Sequence, residues 1–426
     1  MLDRRKLLKA VAATGAAGAG LLPVGRSAFA ALSDASAVAP PRLVVVFMRG
    51  AVDGLSVVVP YAEDEYYRAR STIALGRPGQ AGGVLDLDGH FGLHPALAPL
   101  VPLWQTGRLG FVHASGSPDT TRSHFDAQDY MESGTPGVKT TADGWLNRLL
   151  GALPAAGVAA APTRAVSIGA VLPRIFAGHN AVANIASGAA AVKPTVLDRP
   201  RVGEAFARLY DGDDKLSRAY RESQLARREV MGALAGDDLE REMQAANNGA
   251  PLPGGFPADA ARLARLMRRD ARVQFAFMAV GGWDTHAAQG SAAGQLANRL
   301  APLGQGLAQL ASQLGPVLDD TAVVVMSEFG RTVRQNGNGG TDHGHGNVMW
   351  LLGGAIAGAK VHGRWPSLAD SALYEGRDLA VTTDFRQVLA QLCERHLALP
   401  DARLDEVFPR WPGFGDGGLD LVRSRA

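Results

Sequence analysis

The chain of 426 residues has a single cysteine, Cys393. One thiol excludes an intramolecular disulfide and a metal site built on paired thiolates. Any bound cation must therefore be held by carboxylate, imidazole and hydroxyl groups. Net charge is nearly absent, with 43 Lys and Arg against 41 Asp and Glu, and aromatic residues make up only 6%. There is no basic stripe interleaved with aromatics, which argues against nucleic acid as a partner. What the chain has is 46% apolar residues with modest charge, the composition of a globular protein with a large core.

The first 30 residues read as an address. Arg4, Arg5, Lys6 and Lys9 precede a weakly apolar Ala/Gly-rich run from Val11 to Val24, and Ala28-Phe29-Ala30 forms an A-x-A cleavage pattern. The paired arginines resemble the twin-arginine export signal, so the expected mature chain begins at Ala31 in the bacterial periplasm or outside the cell. The export machinery is then a partner. A retained membrane anchor is the alternative, but the run is short and glycine-interrupted beside the roughly 20 apolar residues of a span. Without the leader, 38 basic residues face 40 acidic ones, so the alkaline pI belongs mostly to the signal.

Six apolar runs predict buried strands: 42–48, 108–114, 164–169, 273–280, 321–327 and 348–354. They are continuous rather than alternating, as expected where helices cover both sheet faces. Between them, Leu296, Leu300, Leu303, Leu307, Leu310 and Leu314 recur at spacings of four and three, predicting a helix stopped by Gly315-Pro316 and kinked or broken near Pro302. A last helix is expected from about Thr383. Strands alternating with helices imply an α/β fold with a largely parallel central sheet, helices on both faces, and one domain over 31–426. Segments 151–163 and 246–258 read as surface connections. The charged stretch 201–245 reads as helices, and 201–258 could form a helical cap insertion.

Polar residues collect after the strands. Asp53 follows the first; Arg122, Ser123 and His124 follow the second; Asp284 and His286 follow the run at 273–280; Glu328 and Arg331 follow 321–327. The segment "GGTDHGHGN" then supplies Asp342, His343 and His345. Ligand sites of open α/β sheets lie beyond the carboxyl ends of the strands. The expected metal ligands are Asp53, Asp284, His286, Glu328, Asp342, His343 and His345, against plainer readings as turn residues. The ion is divalent (Zn, Mn, Ca or Mg), and imidazole with carboxylate suits Zn, Mn or Fe. Glycine loses much freedom on ordering, so a cation is also expected to hold the glycine loop still. Ser123 reads either as a nucleophile at a helix N-terminus or as an N-cap. Arg122 and Arg331 could clamp an anionic ester or simply sit at the surface.

The order of these residues resembles the alkaline phosphatase and sulfatase superfamily. More closely, "SHFDAQDYMESG", "GWLNRLL", "GGWDTH", "SEFGRT", "GTDHGHGN" and "TTDFR" resemble the exported bacterial family known as domain of unknown function 1501. The resemblance implies an alkaline-phosphatase-like fold and an exported metal-dependent hydrolase or transferase acting on a phosphate or sulfate ester. It also leaves a second reading: a catalytically degenerate protein that binds an anionic glycan or a co-encoded exported partner. Two departures bear on the metals. The superfamily's Asp-x-x-x-His is here Asp284-Thr285-His286, and its Asp-His-Gly is Glu328-Phe329-Gly330, an acid without the imidazole.

Overall fold

In Arg42–Met48 (β1), Leu43, Val45 and Phe47 pack into one hydrophobic core while Val44, Val46 and Met48 pack into another. A strand apolar on both faces belongs between two helical layers. The computed structural model describes residues 40–154, 162–187, 244–414 and 418–423. The expected leader and nearly all of the charged stretch 201–245 lie outside the described residues.

Three two-residue strands, β2 (Val58–Val59), β3 (Leu85–Asp86) and β4 (Gly92–Leu93), make a small sheet in the order β2-β4-β3. The central sheet adds β5 (Leu109–Gly116), β6 (Ala165–Ile168), β7 (Ala183–Ile185), β8 (Phe275–Val280), β9 (Thr321–Ser327), β10 (Asn347–Leu352), β11 (Val361–His362) and β12 (Thr383–Asp384). Its order is β11-β5-β10-β9-β1-β8-β6-β7, with β12 also on β5. β1 runs parallel to β8 and β9, while β10 is antiparallel to both of its neighbours. The expectation of a largely parallel sheet holds, with β10 as the exception. A parallel return needs a crossover, usually helical. The glycine-rich link from β9 forms no helix, so the chain comes back antiparallel.

One layer is α3 (Phe256–Arg269) with α4 (Gln295–Leu314); the other includes α2 (Trp145–Ala152) and α5 (Phe385–Gln391), while α1 (His124–Ser133) lies near the strand ends. The six leucines of α4 are all buried. Each contributes roughly 1.5–3 kcal/mol of burial. The helix runs on through Pro302 rather than breaking there. Segment 246–258 differs from the expected surface connection: Ala246, Pro253 and Phe256 are buried, and α3 already starts at Phe256. Among the described residues, no helix is long and apolar enough to cross a membrane.

The strand directions decide where chemistry can gather. β1, β8 and β9 are parallel, and β5 shares their direction through β10, so four carboxyl ends lie at one edge. Asn347, which opens β10, pairs with Ser115 at that same edge. The glycine loop is thereby delivered to the other strand ends.

Candidate metal centre

His124 is the first residue of α1, capped by Ser123, whose hydroxyl accepts from the Asp126 amide at 3.5 Å. Asp284 and His286 follow β8. His343 lies in the glycine loop, which pairs with the segment after β9: Arg331 and His343 form an antiparallel bridge, and the Thr332 and Gly344 amides donate to Asp342 and Gly330 carbonyls.

These segments converge. One ligand atom each from His124, Asp284 and His343 lies within 4.8 Å of the others. The Nε2 atoms of His124 and His343 are 3.0 Å apart. His286 flanks the trio, with its Nε2 at 3.0 Å from His343 Nε2 and 3.0 Å from Asp284 Oδ1. The opposite ring nitrogens all face acceptors. His124 Nδ1 meets Glu328 at 2.8 Å, His343 Nδ1 meets the Arg122 carbonyl at 2.9 Å, and His286 Nδ1 meets Asp342 at 3.2 Å. A proton on each Nδ1 leaves each Nε2 as a lone pair. Lone pairs this close repel unless a proton or a cation stands between them.

The residues present fit a cation. Asp284 is fully buried, and its Oδ2 has no hydrogen-bond partner. An ionised oxygen left so is costly in an apolar interior. Its other oxygen accepts from Arg331 at 2.5 Å. Burial opposes the charge on Asp284, yet His124, His286, His343 and Arg331 outweigh it and hold the carboxyl far below the usual range. Burial likewise opposes a charged His124, but the carboxylates of Asp284 and Glu328 raise it to about 9. A proton there does what a cation would do better, because a divalent ion reaches the His124 and His343 lone pairs and the Asp284 carboxylate at once. Two imidazoles and one carboxylate form a three-ligand set that leaves a coordination position open.

The other expected site residues are placed differently. Asp53 does not join the cluster: Arg70 binds it through both oxygens, at 2.5 and 3.0 Å, with Ser56 and Gln289 each adding a bond at 2.7 Å. A guanidinium occupies the position expected for a metal. Glu328 points at His124, the Gly50 amide and Gln128, so it supports a ligand from behind. Asp342 orients His286, which flanks the trio, through its Nδ1. His345 is stacked on Tyr374 with ring centroids 4.8 Å apart, away from the other imidazoles. The side chain of Arg331 is spent on Asp284 and Thr341, and that of Arg122 on Glu375 and Asp378. Arg331 is thus committed to Asp284, and Arg122 is neutralised by two acids through Nη2 with its Nε left without a partner. Ser123 is exposed and caps α1.

Two contributors carry little local signal. His124 follows the helix-start serine, whose two familiar roles draw attention away from its neighbour. Arg70, paired with Asp53 across 17 positions, sits in an ordinary charged helix end.

The loop's glycines also have a different cause from the one expected. A Cβ on Gly344 would lie 2.4 Å from the Arg331 carbonyl carbon, and one on Gly340 would lie 2.4 Å from His286 backbone. Backbone pairing orders this loop, and glycine is what allows the strands of chain to come so close.

The profile of a family described as "Protein of unknown function (DUF1501)" matches residues 90–408. The chain belongs to this family. No curated protein matches the sequence. Distant likenesses among solved structures include a protein in the alkaline phosphatase superfamily from Vibrio parahaemolyticus, 10% identical with a TM-score of 0.37, covering 74% of this DUF1501 chain and 60% of that one. The lipoteichoic acid synthase LtaP from Listeria monocytogenes is 9% identical with a TM-score of 0.31, over 74% and 65% of the two chains. A TAB5 alkaline phosphatase mutant with Mg bound is 12% identical with a TM-score of 0.30, over 74% and 91%. The DUF1501 chain thus spans less than two thirds of the first two of these chains and 91% of the third.

Proposed function

We propose that this DUF1501 protein is an exported hydrolase or transferase that uses one divalent cation, held by His124, Asp284 and His343, to act on a phosphate or sulfate ester. The convergence of the His124 and His343 Nε2 atoms on the Asp284 carboxylate, His124 at 3.6 Å from the orphaned Oδ2 and His343 at 3.4 Å from Oδ1, carries the reading. Imidazole with carboxylate favours Zn, Mn or Fe over Ca or Mg. When bound, such an ion supplies a Lewis acid that polarises an ester oxygen and lowers the pKa of water.

The chain's own groups divide the remaining work. Glu328 and the Arg122 carbonyl keep the Nδ1 protons of His124 and His343 in place, so both rings present Nε2. Arg331 offsets the charge of Asp284. His286, partly exposed and oriented by Asp342, is the proton carrier: its Nε2 faces the trio and its Nδ1 is fixed by a carboxylate. With Arg70 on Asp53, the centre is mononuclear. The first 30 residues serve twin-arginine export in this reading, and a periplasmic chain starting at Ala31 would mark it.

The binding-protein reading also has an observation in its favour, since Arg122 and Arg331 are both sequestered by acids. Turnover separates the two. Metal-loaded protein should release phosphate or sulfate from members of an ester panel. His286→Ala should keep its metal and lose at least about a hundredfold in rate, while Asp284→Ala should lose both. Full metal loading with no turnover on any ester would favour the binding protein.

A further inference from the structure

A cavity of about 530 Å³ adjoins Asp284, between the end of β8 and the first turns of α4. Its wall includes Asn247, Leu252, Gly282, Asp284, Gln295 and Arg299. Three buried polar atoms on these residues have no hydrogen-bond partner: Asp284 Oδ2, Gln295 Oε1 and Arg299 Nη1. The first is shared with the cation centre. The other two lie outside it. Gln295 and Arg299 are four apart on α4, so they face the same way.

The local chain keeps this space open. Gly282 has φ +94°, and a Cβ there would come within 3.2 Å of Arg299 Nε and 2.6 Å of a Leu252 methyl. The Gly282 amide is held by Asn247 Oδ1, which fixes the wall opposite α4. Leu252 is 58% exposed, giving the wall one apolar patch. The Asp284 carboxylate acts on Arg299 electrostatically, but Arg299 Nη1 has no hydrogen-bond acceptor and calls for one, best an anion, while the unpaired Gln295 amide oxygen calls for a donor.

We propose that Arg299 and Gln295 form the substrate-recognition site of the cation centre, selecting a phosphate or sulfate monoester with a hydroxyl near its anionic group. Arg299 takes the anion, Gln295 Oε1 accepts the hydroxyl, and Leu252 lies against the carbon skeleton. The assignment rests on the ester reading above for the class of ligand. It supplies the anion-binding arginine that Arg122 and Arg331, both engaged elsewhere, do not.

Calorimetric titration of the full chain with sodium sulfate and with glucose 6-sulfate tests it, with phosphate and glucose 6-phosphate run alongside to tell the two anions apart. Wild type should bind at least one inorganic anion and bind its sugar ester more tightly. Arg299→Gln should weaken both ligands at least about tenfold, with an unchanged melting temperature, and Arg299→Lys should restore part of the loss. Gln295→Leu should remove the sugar ester's advantage and leave the inorganic anion unaffected. Wild type that binds neither kind of ligand, or a folded Arg299→Gln that binds as wild type does, would overturn the proposal. Metal content measured on the same samples keeps the two claims apart. Arg299-dependent binding in protein that takes up no metal would sink the cation centre alone, and loaded protein without such binding would sink the recognition site alone.

Discussion

At the scale of single residues, each imidazole of the centre has two jobs, and the partner on Nδ1 determines what Nε2 can do. Glu328 shows this most clearly. It is buried, accepts from His124, Gly50 and Gln128, and is held below the usual carboxylate range because those bonds outweigh the burial that opposes its charge. Glu328→Gln keeps the shape and removes the charge that fixes the His124 proton. Metal affinity should fall roughly 10–100-fold, read by competition against a chromogenic chelator, with little change in fold. An affinity equal to wild type would mean that Glu328 serves only the Gly50 turn. The sequence made the acids and imidazoles at the strand ends visible. It could not sort ligand from support, because Asp284 and Glu328 look alike until the fold shows which one has an oxygen without a partner.

At the scale of elements, the glycine loop carries its order in its backbone. The Gly330, Thr332, Gly344 and Gly346 amides all donate to carbonyls within the loop or beside it. Removing metal should therefore leave amide exchange at Gly344 and Gly346 slow, against the sequence-based expectation that a cation holds such a segment. Gly344→Ala should cost about 1–3 kcal/mol from overpacking, measured by denaturant unfolding with chelator present. A neutral effect would mean that the close approach to Arg331 can relax. Regular elements were the legible ones: the leucine spacing of α4 and the apolar run of β1 declare both their type and their buried faces. The direction of β10 was not legible, since continuous apolar runs suit either pairing. Two-residue strands such as β11 and β12 exist only through their contacts with β5.

For the whole molecule, two histidines outside the centre tie stability to acidity. His94 and His113 each donate from Nε2 to a carbonyl and accept a backbone amide at Nδ1, so neither has room for a second proton. Burial pushes both down to about 4. The unfolded chain, with histidines near 6.5, binds those protons first. Stability from these groups is thus complete above about pH 6.5 and is lost as the pH falls towards 4, on the order of 3 kcal/mol for each. His113→Asn should flatten that acid limb relative to wild type in urea unfolding at pH 7 and pH 4.5. An unchanged difference between the two pH values would show that the ring titrates freely.

The same scale holds the central claim, that three stretches of chain distant in sequence, carrying His124, Asp284 and His343, meet to bind one cation. Elemental analysis of protein purified without added metal or chelator tests it most directly. Wild type should carry about one Zn, Mn or Fe per chain, and folded His124→Ala should carry almost none. A His124→Ala protein that retains as much metal as wild type, or a wild type that takes up none even when metal is supplied, would contradict the account.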